Sequence, residues 1–193
     1  MPVKSSVTDF RRQFDAYVTQ NQINRESKKA VEWLFKKVLR FAPRVNLDKD
    51  GKEIGNFATR LVPGKFYLYG YDPKMKNVLP IFDTVPYTLI TSIDYERDLF
   101  KGVNFHHIPP QARVAFFTAL YEIAVNDRIP GSKKDGMIWQ KAKEIAAACG
   151  KTPLLNEAIR SYLFEQVQTR FILVDKEDWA LTASLPLARR YRN

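Results

Sequence analysis

The chain has little of what disulfide-bonded, membrane-spanning and metal-dependent proteins need. Its 193 residues include a single cysteine, Cys149. One cysteine excludes an intramolecular disulfide and a zinc site built from several cysteines. No apolar run approaches the roughly 20 residues that a membrane helix needs, and the first residues contain no secretory apolar segment. We therefore predict a soluble protein made in the cytosol, with no membrane partner.

The sequence has only two histidines, and they are adjacent: His106 and His107. They lie in the stretch 102–108, which predicts a short strand stopped by two prolines. Adjacent side chains of a strand point to opposite faces, so these two histidines do not bind one metal ion from a regular strand. We expect one buried, hydrogen-bonded histidine, one exposed histidine and no metal site.

Reactive motifs are also absent or incomplete. The chain has no Gly-x-Ser-x-Gly sequence, and residues 131–133 follow a predicted helix without the first glycine of a phosphate loop. Residues 48–51 resemble the start of a calcium loop but lack its glutamate at the twelfth position. One alternative stays open, in which Asp72 and Asp83 form a carboxylate pair for metal-assisted phosphodiester cleavage. We expect no enzymatic activity and no cofactor.

Positive charge is abundant and unevenly distributed. The formal net charge is +10; residues 1–62 contribute +6, residues 63–127 contribute −1, and residues 128–193 contribute +5. The centre of the chain is therefore nearly neutral, and the flanks carry the positive field. Such flanks favour anionic partners, either nucleic acid or the acidic surface of another protein.

The first 43 residues predict an N-terminal helical arm. A helix over 6–22 carries an aromatic stripe, and a second helix over 26–42 ends at a proline. The apolar face of the second helix, expected to contact the core, comprises Ala30, Val31, Leu34, Phe35, Val38 and Ala42. Its basic face comprises Lys29, Trp33, Lys36 and Arg40. A tryptophan among basic residues indicates either an interface or packing beneath the next loop.

The stretch 62–93 predicts the centre of the fold. Two runs of aromatic and β-branched residues, 66–71 and 87–93, indicate a pair of core strands. The connection between them contains three prolines, which predicts an ordered excursion and not a tight hairpin.

The second half predicts helices over 110–127, 137–149 and 153–169, followed by a hairpin of strands 170–174 and 179–186. Residues 44–193 are thus interpreted as a single domain with a helical insertion over 110–169. The fold class is α+β, with a small antiparallel sheet or partly open β-barrel and about five flanking helices. The tail is basic and contains Arg189, Arg190 and Arg192.

Four motifs together resemble a family of small virion proteins of contractile-tailed, T4-like bacteriophages. They are Gly-Lys-Phe-Tyr-Leu-Tyr-Gly-Tyr-Asp-Pro-Lys at 64–74, Leu-Pro-x-x-Asp-x-x-Pro at 79–86, Asn-Phe-His-His-Ile-Pro-Pro at 104–110, and Asp-Trp at 178–179. The resemblance covers about three quarters of the chain. Members are described as protectors of packaged DNA ends or as tail and baseplate proteins. The charged connection at 94–101 departs from the family pattern, which has a glycine-rich turn there.

The resemblance implies a non-enzymatic structural component of a tailed-phage virion, in the tail, baseplate or head–tail connector. Its partners would be other virion proteins, and its location the virion after synthesis in the host cytoplasm. The alternative is a DNA-end-binding protector that acts during genome packaging. In that case the phosphate contacts would come from Lys29, Lys36, Lys37, Arg40, Arg189, Arg190 and Arg192, with Trp33 at the interface.

Overall fold

The computed structural model describes residues 20–38, 57–58, 60–74, 81–185 and 190–191. The helices in these ranges are α1 Gln20–Val38, α2 Pro110–Val125, α3 Gly131–Lys151 and α4 Trp179–Thr182. The strands are β1 Phe57–Ala58, β2 Phe66–Leu68, β3 Ile81–Phe82, β4 Tyr87–Asp94, β5 Leu99–Asn104, β6 Ile159–Leu163, β7 Phe171–Val174 and β8 Arg190–Tyr191. Within the described part of the chain, no helix combines the length and apolar character that crossing a membrane requires.

Six strands form one sheet in the order β1-β7-β2-β4-β5-β6, and each neighbouring pair is antiparallel. Strands β1 and β6 are its two edges, so the sheet is open. Strands β3 and β8 form a separate antiparallel pair. The predicted α+β class with an open antiparallel sheet is confirmed, as is the core strand pair, in which Phe66 lies opposite Leu89.

Strand β2 explains why the sheet has two buried faces. Its alternating side chains separate into two clusters: Phe66 and Leu68 join the core beneath the helices, whereas Tyr67 and Tyr69 join an aromatic cluster on the other face. Helices α2 and α3 cover the first face with an apolar stripe each. Fully burying one such large side chain stabilises the fold by about 1.5–3 kcal/mol.

The aromatic cluster also contains buried hydroxyl groups that find partners. The hydroxyl of Tyr69 lies 3.1 Å from the hydroxyl of Thr88, which in turn lies 3.5 Å from that of Tyr162. Burial raises the pKa of both tyrosines, so they stay neutral over the whole physiological pH range. The strands β2, β4 and β6 are thereby linked through side chains as well as through the sheet.

A buried arginine connects α2 to residues 183–185. Arg113 is fully buried, and its guanidinium donates to the backbone carbonyls of Ala183 and Leu185 and to that of His106. Burial lowers the pKa of Arg113 to about 10, and the nearby Tyr87 opposes the shift. These hydrogen bonds to backbone carbonyls hold residues 183–185 against the first turn of α2.

Two predicted elements are wrong. Residues 153–169 form no helix: they contain short 3₁₀ turns on either side of strand β6. The apolar spacing is compatible with a helix, but pairing with β5 prevails because Tyr162 then stacks on Phe100, with 5.2 Å between ring centres. The helices of the predicted insertion therefore end at Lys151.

The predicted final strand, 179–186, is also wrong, and with it the hairpin. Residues 179–182 form the short helix α4, and β7 pairs with β1 and β2 instead. Trp179 and Thr182 are buried at a helical spacing of three residues, and the Trp179 ring lies 5.4 Å from that of Phe66. Alanine and leucine favour a helix, so the alternation of side chains by itself was not enough to predict a strand here.

The remaining helices are close to the predicted ones. Helix α2 matches its prediction, α3 begins six residues earlier than the predicted 137, and α1 spans 20–38 where 26–42 was predicted. The predicted helix over 6–22, except its last three residues, and the calcium-like segment 48–51 lie outside the described residues. The proposed boundary at residue 43 lies there too, so the division into arm and domain stays a prediction.

Candidate nucleic-acid interface

Helix α1 presents part of the predicted basic face to solvent. Lys29 and Lys36 are exposed. Lys37 is not available in the same way, because its ammonium lies 3.3 Å from the carboxylate of Asp178 and 5.3 Å from the centre of the Trp33 ring. A phosphate that binds Lys37 would compete with Asp178.

The orientation of α1 differs from the predicted one. Ala30 is fully buried, and Trp33 and Leu34 pack against the core, but Val31 and Phe35 are 43% and 62% exposed. The prediction that Val31 and Phe35 face the core is therefore wrong. Trp33 packs against the core, and the loop beneath which it was expected to pack lies outside the described residues.

Of the four arginines of the predicted interface, the structure describes Arg190 alone. Arg40, Arg189 and Arg192 lie outside the described residues. Arg190 lies in β8, where its backbone is opposite Phe82 of β3. This strand pair leads directly into Asp83 and is the point at which the basic tail joins the described fold.

Asp83 belongs to a buried hydrogen-bond network. Its Oδ2 lies 2.9 Å from Nδ1 of His106 and accepts from the amide of Asn104 at 3.0 Å, while Oδ1 accepts from the Val85 N–H at 2.9 Å. Burial works against ionisation, but the electrostatic influence of His106 and these hydrogen bonds outweigh it and lower the pKa of Asp83. The carboxylate is therefore ionised and fully engaged in holding neighbouring segments.

The histidine prediction is wrong in one respect. His106 and His107 are both buried, because residues 105–107 form a 3₁₀ turn and not a continuation of β5. The side chain of Asn104 caps this turn by accepting from the His106 N–H at 3.0 Å. Among the residues that the structure describes, no three His, Cys, Asp or Glu side chains gather in a way that could hold a metal ion.

A tryptophan of α3 forms a second candidate contact surface. Trp139 is 40% exposed, yet its indole N–H donates to the carbonyl of Thr91 at 2.8 Å. The ammonium of Lys143, one helical turn later, lies 4.5 Å from the ring centre. We call Trp139 and Lys143 the Trp139 surface.

The position of Trp139 follows from the sequence around it. The core-facing stripe of α3 runs through Ile138, Ala142, Ile145 and Cys149, so Trp139 and Lys143 lie beside the stripe. Gly64 has a φ of +87°, and a Cβ on it would lie 2.9 Å from the Trp139 backbone nitrogen. Glycine is required there on both counts, since this close approach seats α3 against the turn before β2.

Helix α3 carries a positive surface. It contains five lysines and two acidic residues. Asp135 lies 2.5 Å from Lys65, and Glu144 lies 2.5 Å from Lys141, so both acidic groups are already bonded to a lysine. The surplus charge of α3 leaves the Trp139 surface suited to an anionic partner with flat rings.

A second exposed aromatic residue offers a comparison. Tyr95 is 57% exposed, and the guanidinium of Arg60 lies 5.9 Å from its ring centre. Its ring is stacked on Phe164, with 5.8 Å between centres and 12° between planes. One face of Tyr95 is therefore already used within the protein.

Sequence reasoning singled out Trp33 and missed Trp139. The available signal was a tryptophan outside the apolar stripe of a lysine-rich helix, with a lysine four residues later. The same pattern singled out Trp33. The structure shows that Trp33 is partly buried against the core.

Comparison with protein families identifies the family of this chain. The family model described as phage T4 terminal DNA protecting protein matches residues 4–192 of the chain. A search of curated proteins and a search of solved structures each found no match.

Proposed function

Since the chain belongs to the family of the phage T4 terminal DNA protecting protein, we propose that it binds the ends of linear duplex DNA and blocks exonucleases there. The observation that carries the proposal is the family match, which extends over nearly the whole chain. The DNA-end role, the alternative of the two expected from sequence, thereby takes precedence over a tail or baseplate role, which nothing supports beyond the original resemblance.

Charge supports DNA as the partner. The net charge is +10, and exposed lysines occur on α1 (Lys29 and Lys36) and on α3 (Lys133 and Lys143). Lysine contacts with phosphates release condensed counterions, which drives binding without regard to sequence. A protector must accept whatever sequence lies at the end, so charge-driven binding suits the task.

Protection by occupancy needs no chemistry on the DNA. We propose a stoichiometric, non-enzymatic mechanism in which the protein covers the terminal nucleotides, without a cofactor or metal. We place the protein with the packaged DNA in the virion, after synthesis in the host cytoplasm.

Attachment to another virion protein is a second candidate role. The exposed Phe35 and Val31 lie four residues apart on α1 and form an apolar pair beside basic residues. Such a pair suits a protein contact inside the particle. Removing Phe35 should then deplete the protein from purified particles without weakening its binding to DNA, and unchanged particle content would exclude this contact.

Exonuclease protection tests the proposed DNA-end function. Linear blunt-ended DNA is incubated with the protein and then with a double-strand exonuclease, and full-length DNA is quantified. Nicked circular DNA, digested from its nick by an exonuclease that accepts nicks, controls for direct inhibition of the nuclease. We expect protection of the linear DNA alone, and full sensitivity again once the protein has been removed by proteolysis.

Two results would contradict the proposal. Absence of protection at saturating protein would remove the end-protecting function. Ends that stay resistant after proteolysis would show a chemical change to the DNA and remove the non-enzymatic mechanism.

The affinity for DNA should also weaken as the salt concentration rises, with a log–log slope of about −0.9 for each phosphate contacted.

A further inference from the structure

We infer that Trp139 distinguishes a DNA end from internal duplex by stacking on the terminal base pair, an inference that rests on the proposed function. A protein that only neutralises phosphates binds the middle of a duplex as well as its end, because phosphates repeat along the whole molecule. The face of a base pair is accessible to solvent only at an end. End preference therefore requires a flat group that the protein presents to this face.

Trp139 has the properties of such a group. The residue is 40% exposed although it is held at two points: the indole N–H bonds to the carbonyl of Thr91, and the backbone lies against Gly64. The accepting carbonyl belongs to a bulge, where the register between β4 and β5 shifts between Ile90 and Ser92. A ring fixed in advance loses little conformational freedom when a base stacks on it.

Lys143 supplies the accompanying charge. Its ammonium lies 4.5 Å from the centre of the Trp139 ring, and its long side chain is exposed. An exposed cation over an aromatic ring is a weaker contact than a stacked base. A terminal base pair can therefore displace Lys143 from the ring, and the ammonium can then bind the neighbouring phosphate.

Tyr95 is a less suitable end-contact residue and a matched control. It is more exposed than Trp139 and also lies near a cation, but its ring is already stacked on Phe164. Tyr95 is thus exposed and lies near a cation, but one face of its ring is already covered by Phe164. Loss of Tyr95 should leave end preference unchanged.

The test compares two DNA molecules of the same sequence. One is a short blunt-ended duplex, and the other is a dumbbell whose ends are closed by hairpin loops, so that no base-pair face is exposed. We expect the wild-type protein to bind the open duplex more tightly, by a factor on the order of ten for one stacked base. Trp139→Ala should abolish the difference while keeping affinity for the dumbbell, and Tyr95→Ala should retain it.

Trp139→Phe is a second variant that tests the inference even if Trp139→Ala does not fold. It keeps an aromatic ring but removes the N–H donated to Thr91, so we expect an intermediate preference for the open duplex. Tryptophan fluorescence gives an independent signal: the open duplex should quench it in wild type more than the dumbbell does, and this difference should vanish in Trp139→Phe.

The possible outcomes separate the inference from the proposed function. If Trp139→Ala keeps the wild-type preference, or Tyr95→Ala loses it equally, the inference is overturned. Equal binding of both DNA molecules by wild type overturns it as well. Exonuclease protection is measured separately, and its absence in wild type would remove the proposed function itself.

Discussion

Asp83 and His106 join two distant parts of the chain at 2.9 Å, and the carboxylate also accepts from Asn104 at 3.0 Å. Asp83 lies between β3 and β4, whereas Asn104 is the last residue of β5 and His106 lies in the 3₁₀ turn that follows it. The side chains of Asp83 and His106 are 8% and 2% exposed, so their hydrogen bonds have little competition from water.

Replacing Asp83 by Asn should destabilise the fold by about 2 kcal/mol, since one buried partner is left with an unsuitable hydrogen-bonding group. Urea unfolding at pH 7 measures the effect. Asp135→Asn is the matched control, because Asp135 also bonds to a basic side chain but is 64% exposed. There we expect less than about 1 kcal/mol. Equal effects of the two substitutions would refute the importance of the buried network.

The same network should produce acid sensitivity. The pKa of Asp83 is lowered in the folded protein, so its stabilising contribution is complete above the unfolded value of about 3.9 and is lost as the pH falls through the folded value. The difference in unfolding free energy between wild type and Asp83→Asn should shrink as the pH falls below about 4. A difference that grows in acid would contradict this assignment.

Gly64→Ala should destabilise the protein by about 1–3 kcal/mol. The new Cβ would meet the Trp139 backbone at 2.9 Å, and the φ of +87° disfavours any side chain. The control is Gly136→Ala in α3, where a Cβ meets no heavy atom within 4 Å. That change should stabilise by about 0.5–1 kcal/mol because alanine favours helix. Thermal unfolding of both variants checks the opposite signs.

Lys143→Ala should weaken DNA binding and reduce the magnitude of the salt slope by about 0.9, the contribution of one phosphate contact. Lys37→Ala is the comparison: Lys37 already lies 3.3 Å from Asp178, so its removal should alter the slope less. Titrations at several salt concentrations measure both slopes. A larger change for Lys37 would place the DNA on α1 and not on α3.

The elements that sequence predicted well are those in which local pattern and tertiary contacts agree. Phe66 to Tyr69 alternate between two buried faces, and Pro110 begins α2 where its missing N–H has no cost. In these segments, the conformation that the residues favour locally is also the one that places the correct side chains in the core.

The errors occur where tertiary contacts decide. The spacing of Ala158 and Tyr162 is compatible with a helix, but Tyr162 is buried only if its segment pairs with β5. His107 is buried because a 3₁₀ turn, capped by Asn104, replaces the expected strand. At the candidate site, the basic character of α1 and α3 was visible in the sequence. The contact of Trp139 with Thr91 was not, since the two are 48 positions apart.

The place of β7 between β1 and β2 governs when this protein can fold. While a ribosome is still translating the codons before Phe171, the nascent chain contains β1 and β2 but not β7, the strand that lies between them in the sheet. Completion of the sheet is therefore postponed until synthesis has passed Val174, and contacts across more than a hundred positions must then form. A prematurely terminated polypeptide leaves a bare strand edge instead, and is a substrate for aggregation or proteolysis.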